Sequence, residues 1–464
     1  MTLTTDRVHG LHQYYRDTLT QGLRLATSDI RLTTVIEDVL SGGCNVLEMA
    51  ESLHAQDIER PGLVAMLLAA GQANLFSDKY RAGVQRPLPR VLSAQIASAL
   101  KRLIERHPET DWVHNAGLIL FKIGQTDLAL GLFESCPELL AQDADWQRIS
   151  CLVALLESDL DKASRMLKLL TSSGQLGRHR FDRLMQLSWR HAAGKLVTEP
   201  VTLVIPSGYQ AEPRVSWLLT ASPGKTTTTI HFMACDPVYL FEHGLANLCS
   251  LLETHDEQLH CHVHLYDPTE ESVQLLHTLA QALPLLGLTA SVEHSPQEAA
   301  RNVGYACRRF LAADWLLSQF AGHDMVMTDA DVLWRQPLRR LLETVGNQPS
   351  IVVTTPECTP FWERVVAGLM YLRGDEDSRA FLKEVARVIT FNLERGNMVW
   401  FLDQIVLSAR IDHARNALGL SPSMLVDTAH GAEALTWAIT NHKQAASLYQ
   451  DYKADLLSRH LGMG

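Results

Sequence analysis

Two aspartates one residue apart, Asp329 and Asp331, follow a short apolar run, Met325-Val326-Met327-Thr328. Polar His323 and Asp324 precede that run, so it reads as a buried strand that delivers both carboxylates as it ends. In open α/β sheets ligands sit beyond the carboxyl ends of the strands, which would place these side chains in a crevice. Hard oxygen ligands at this spacing suit Mg²⁺ or Mn²⁺ bridging a diphosphate, because the ion keeps open positions for phosphate oxygens while the carboxylates anchor it. The same residues also suit a strand-end turn, where Asp bonds its own backbone, and spacing alone leaves both readings open.

A carboxylate pair at a strand end needs a sheet behind it, and the sequence from Thr226 onward supplies one. Strand-like runs alternate with helical ones: Thr228 to Ala234, helix Val238 to Glu253, strand His260 to Tyr266, helix Thr269 to Leu283, strand Thr289 to Glu293, helix Arg301 to Leu317, then the Asp329 strand. Such alternation predicts βαβ units on a mostly parallel sheet, hence an α/β domain over 226–464. Residues 200–225 are rich in Pro and Gly and read as a linker with a possible short strand at Val201 to Ile205.

Residues 1–199 have a different texture. Val35 to Leu53, Gly62 to Leu75 and Val91 to Arg106 place apolar residues at three- and four-residue intervals, the pattern of amphipathic helices. Asp111-Trp112 recurs as Asp145-Trp146, Asp127 as Asp161 and Ala129 as Ala163, a spacing of about 34 residues, which is the tetratricopeptide period. Ser158 occupies the position equivalent to Gly124 in the second copy, and a third unit is expected over His179 to Gly194, with the run Trp189 to Gly194 near its turn. An irregular helical bundle with one coincidental spacing stays open as the other reading.

Composition limits the classes of function. The chain has 464 residues, 46% hydrophobic and 20% charged, enough for two or three globular domains. A formal net charge of -11 disfavours a nucleic-acid partner. No apolar run is long enough to span a bilayer and the N-terminus lacks a secretory pattern, so a cytoplasmic protein without a transmembrane segment is expected. Eight cysteines without a Cys-x-x-Cys pair indicate neither zinc knuckle nor disulfide framework.

Several segments of the second half resemble the glycogenin and lipooligosaccharide galactosyltransferase type of GT-A glycosyltransferase, family 8. Ile230 to Leu240, with Asp236 and Tyr239, followed by Ser250-Leu251-Leu252, resembles that family's opening strand, Asp-x-x-Tyr and helix. The resemblance implies that Asp236 and Tyr239 hold the uracil of a UDP-sugar. Tyr305 to Leu317 resembles the helix that carries an Arg to the nucleotide-sugar, which implies Arg309 in preference to Arg308. A guanidinium offers diphosphate oxygens a fixed fork. Val366-Ala367-Gly368 resembles the family's Asn-Ala-Gly strand without its Asn, and Trp400-Phe401-Leu402-Asp403-Gln404 resembles the Asp-Gln motif that contacts the donor sugar. The family's C-terminal metal-binding His is not recognisable; His442 with Lys443, or His430, are the candidates, Lys443 supplying charge for phosphate.

The resemblance implies a GT-A catalytic domain preceded by an all-α, tetratricopeptide-like domain. Asp329, Asp331 and His442 would hold Mn²⁺ or Mg²⁺, Arg309 would add positive charge, and Asp403 or Gln404 would position the sugar. A protein or glycan acceptor, or a protein partner that delivers it, would dock on the helices. The competing expectation is a tetratricopeptide adaptor with a catalytically degenerate glycosyltransferase-like domain.

Overall fold

The structure, a computed structural model, describes residues 11, 13–20, 90–106, 108, 110–193, 214–220, 229–255, 258–294, 301–345, 351–355, 361–394, 399–417, 423–426, 434–438 and 446–463. The chain forms two compact units, residues 1–189 with 358–360, and residues 190–357 with 361–464. Val35 to Leu53, Gly62 to Leu75, Val201 to Ile205 and Gly194 lie outside the described residues.

Every described element of the first unit is a helix: α1 (Gln13–Leu19), α2 (Arg90–Arg106), α3 (Thr110–Lys122), α4 (Thr126–Ser135), α5 (Pro137–Gln142), α6 (Ala144–Glu157), α7 (Leu160–Ser172) and α8 (Arg180–Ala193), which runs on past the boundary. The 34-residue spacing is visible in the backbone. Gly124 and Ser158 both take left-handed conformations, with φ of 84° and 64°, between the two helices of a pair. Their hydrogen bonds match as well: Gly124 N donates to Phe121 O as Ser158 N does to Leu155 O, and Gln125 N donates to Leu120 O as Asp159 N does to Ala154 O. Ser at the second position therefore strains the turn without changing it. Trp189 lies inside α8, which ends at Ala193 just before the undescribed Gly194, and its indole Nε1 donates to Leu160 O at 3.0 Å.

The second unit is built on an eight-stranded mixed sheet in the order β1-β4-β3-β2-β5-β8-β7-β9. Its elements in chain order are β1 (Val215–Leu219), β2 (Thr229–Cys235), α9 (Leu245–Thr254), β3 (Cys261–Tyr266), α10 (Glu270–Ala282), β4 (Thr289–Glu293), α11 (Arg301–Gln319), β5 (Asp324–Thr328), β6 (Val332–Trp334), α12 (Leu338–Val345), β7 (Ile351–Thr355), β8 (Val366–Leu372), α13 (Glu376–Glu394), α14 (Leu402–Ala417), β9 (Ser423–Val426), β10 (Thr436–Ala438) and α15 (Ala446–Leu461). The centre, β4-β3-β2-β5, is parallel, as the alternating pattern predicts. Beyond it β8 runs antiparallel to both β5 and β7. Within the Pro- and Gly-rich range expected as linker, Val215–Leu219 forms edge strand β1, antiparallel to β4.

The helix expected over Val238 to Glu253 is broken in its first half. Asp236 caps a single turn, Pro237–Tyr239, by accepting from Tyr239 N at 2.8 Å. A wide π-helical turn, Leu240–Gly244, precedes α9. Gly244 permits this, because a Cβ there would lie 3.1 Å from both Met233 and Leu240 side chains. Inserted π turns commonly re-aim the chain beside a functional site.

Candidate active site

Beyond the carboxyl ends of β2 and β5 the second unit holds a cavity of about 240 Å³. Seven residues singled out in the sequence line it: Asp236, Tyr239, Arg309, Asp329, Asp331, Asp403 and Gln404. They arrive from four places: the turn after β2, the middle of α11, the loop after β5 and the start of α14. His442, Lys443 and His430 lie outside the described residues.

The loop from Asp329 to Asp331 is held from several directions. Asp329 N donates to Gly368 O at 3.0 Å, and a Cβ on Gly368 would come within 3.2 Å of Asp329 Oδ2, so β8 approaches the carboxylate closely. Asn247, a buried residue of α9, donates through Nδ2 to Val332 O at 2.8 Å and to Asp329 O at 3.3 Å. Ser250 accepts from Trp334 N at 2.9 Å, which gives the Ser-Leu-Leu segment a local purpose. Asn247 carried no signal in the sequence, since it acts across more than eighty residues from one position in a largely apolar buried helix.

Arg309 is buried and bridges two carboxylates, bonding Asp329 through Nη1 and Asp403 through Nη2, the latter at 2.9 Å. Burial works to lower its pKa, but Asp329 and Asp403 outweigh burial and raise it above the ordinary value. Asp403 is likewise buried, and burial pushes its carboxyl up while Arg309 pulls it down. Arg309, expected to pair with diphosphate oxygens, lines the cavity while tying together two of its carboxylates. Arg308, the next residue back on the same helix, bonds the buried Glu293 at 2.9 Å.

Asp331 differs from its neighbours. Its carboxyl is pushed up to about 7, by burial first and by the Asp329 charge second. Two carboxylates sharing a half-enclosed site resist joint ionisation, and a divalent cation would relieve both causes. The donor set thus fits a hard cation at two positions. Among the described residues no cluster of three or more His, Cys, Asp or Glu is placed to complete the shell.

At the mouth, Tyr239 is 50% exposed and its ring leans against His243 at 5.2 Å. Its phenol is raised, by burial first and Asp331 second. Trp400, 54% exposed, lines the other side, next to Phe401 with a left-handed φ of 72°. A non-glycine residue at that angle stores strain of order 1–3 kcal/mol, a cost often found at binding sites. In the orientation that satisfies its amide, Gln404 donates to Val365 O and Trp362 O at 3.0 and 3.1 Å, so it also braces the cavity floor.

No family model matches the chain, and no curated protein matches it. Among solved structures it is similar to galactosyltransferase LgtC in complex with donor and acceptor sugar analogs, at 13% identity over 49% of this chain and 95% of that one, TM-score 0.34. It is also similar to mouse xyloside xylosyltransferase 1, at 12% identity over 43% and 85%, TM-score 0.30. A third is the bifunctional glycosyltransferase WbbM, at 14% identity over 41% and 38%, TM-score 0.31, so this chain spans well under half of that protein.

Proposed function

We propose that the second unit is a metal-dependent GT-A glycosyltransferase that moves a sugar from a nucleotide-sugar, a UDP-sugar by the sequence resemblance, to a protein or glycan acceptor. The observation that carries this reading is the meeting, in one cavity, of all seven described residues that the sequence singled out for separate parts of a nucleotide-sugar site. The tetratricopeptide-like reading of the first unit and its docking role belong to the same proposal.

Asp329 and Asp331 would hold Mn²⁺ or Mg²⁺, which when bound neutralises charge on a departing diphosphate. The antiparallel pairing of β10 with β6 sets Ala438 against Val332, the residue after Asp331. His442 is the proposed third ligand and Lys443 the phosphate partner. Tyr239 offers a ring for the base, worth about 0.5–1.5 kcal/mol of stacking, and Asp236 lies at the same turn as a carboxylate for a base N–H. Arg309 fixes Asp329 and Asp403 relative to each other, and Asp403 with Gln404 forms the floor on which the donor sugar rests. Catalysis is then chiefly electrostatic: the site is arranged in advance around the charge that develops on the leaving group.

The test is nucleotide release from a panel of UDP-, GDP- and CMP-sugars with purified full-length protein. Release should require Mn²⁺ or Mg²⁺, stop in EDTA, and be lost in Asp331→Asn. Absence of release from every donor would favour the adaptor reading with a degenerate site.

A further inference from the structure

The candidate site lies far in sequence from the last helix, yet α15 reaches it. Tyr449, 1% exposed, donates its hydroxyl to the backbone carbonyl of Asp331 at 2.7 Å across 118 residues. From this contact we infer that Tyr449 is a positioning residue for the Asp331 carboxylate, and that α15 is part of the active centre. The inference rests on the proposal that Asp329 and Asp331 hold a divalent cation.

Residues Asp329 to Asp331 leave the main sheet after β5 and rejoin strand structure only at β6, where Val332 pairs with Ala438. Side chains from two helices bond the carbonyls along this segment, beside one backbone bond from Val332 N to Asp329 O at 3.3 Å. Asn247 of α9 holds the carbonyls of Asp329 and Val332, and Tyr449 of α15 holds that of Asp331 between them. A carbonyl pinned on one side of Cα limits the ψ that residue can adopt, and with it the direction of the carboxylate. A site arranged in advance depends on such supports, because the groups that touch the ligand need their own orientation fixed.

The helix that carries Tyr449 is itself anchored beside the loop. Arg335, which follows β6, lies with its guanidinium 4.2 Å from the ring centres of both Trp437 on β10 and Tyr452 on α15. Tyr452 also donates to Trp334 O at 3.4 Å. Tyr449 packs with Leu333, Trp437, Ala246, Cys249 and Leu456, so its ring has a packing role separate from its hydroxyl. That separation makes the inference testable: Tyr449→Phe keeps the ring and removes only the bond to Asp331.

The experiment measures Mn²⁺ affinity by electron paramagnetic resonance on the full-length protein, well below the thermal midpoint of every variant. The variants are Tyr449→Phe, Tyr452→Phe, which loses the neighbouring hydroxyl of the same helix, and Asp331→Asn. The dissociation constant should rise about five- to tenfold in Tyr449→Phe, the size of one lost hydrogen bond to a fixed group. It should stay within about twofold of the parent in Tyr452→Phe, and binding should collapse in Asp331→Asn. An unchanged constant in Tyr449→Phe, with Asp331→Asn impaired, overturns the inference and leaves the metal reading standing. Equal weakening in both tyrosine variants also overturns it, since the effect would then come from helix docking. If Asp331→Asn binds Mn²⁺ as the parent does, the metal reading itself fails and the inference falls with it.

Discussion

The carboxyl of Asp331 carries the most pH-sensitive information in the cavity. Held up at about 7 by burial and by Asp329, it must give up its proton before it can ligate a cation. Mn²⁺ affinity should therefore be steady above about pH 7.5 and weaken about tenfold per unit below about pH 6.5, which calorimetry over that range checks. The stability sign is opposite. A carboxyl raised in the folded state favours folding below its unfolded value and loses that contribution as pH rises toward 7, so the ion should raise the thermal midpoint more at pH 8 than at pH 5.5. The polar residues that line the cavity were legible in the sequence because Asp, Arg and Tyr near strand and helix ends stand out from an apolar background. Asn247 and Tyr449 were not, since each acts on a backbone carbonyl more than eighty residues away and leaves no local pattern. The Arg309 bridge was half legible: the residue stood out, but its partners Asp329 and Asp403 depend on which loop and helix start the fold brings against it.

At the level of elements, β3 carries an unusual load. Alternate residues of a strand share a face, and here one face holds His262 and His264, with His260 just ahead of the strand, above Thr289, Ser291 and Glu293 of β4. The groups form a continuous chain. Thr289 Oγ1 meets His260 Nε2 at 3.2 Å and His262 Nδ1 at 2.8 Å, and Ser291 Oγ meets His262 Nε2 and His264 Nδ1, both at 2.8 Å. Burial lowers His260 to about 4, and also lowers His262 and His264; on β2, burial lowers His231 to about 3. Histidines kept neutral when folded but free to protonate when unfolded stabilise the fold above about pH 6.5, and that stability is lost as pH falls through the window toward 4. The thermal midpoint should thus drop steeply below about pH 6, with more than one proton taken up per molecule unfolding, outweighing the opposite trend from Asp331. A flat midpoint between pH 7 and 4.5 would contradict the ladder. Strand placement was readable here, with Thr289–Glu293 expected and found, because polar Thr289, Ser291 and Glu293 alternate with apolar Ala290 and Val292 at the strand period. Edge strand β1 and the π turn were missed: one sits among prolines and glycines that mimic a linker, and the other changes a helical period by a single residue.

Across the whole molecule, the chemistry proposed for the second unit needs nothing from the first. The lining of the cavity, the loop that holds Asp329 and Asp331, and the helix that braces Asp331 all lie between residues 190 and 464. The sheet also has a core of its own, running from Met233 and Leu248 through Val263 and Val326 to Leu369. The first unit is described as helices only, and two pairs repeat one turn geometry 34 residues apart; stacked pairs of this kind present surfaces on which an extended partner can lie. Texture alone made the change from helices to alternating strands legible, but not the use of the helices, because a repeat surface names no ligand. If the helices dock the acceptor, a fragment of residues 200–464 should remain soluble and release nucleotide from its donor at a rate within about threefold of the full chain. Transfer to a protein or protein-linked glycan acceptor should fall by about a hundredfold or more, the scale on which a tethered second site raises effective concentration. Retention of full transfer by the fragment would remove the docking role, and an insoluble fragment would show instead that the second unit needs the helices to fold.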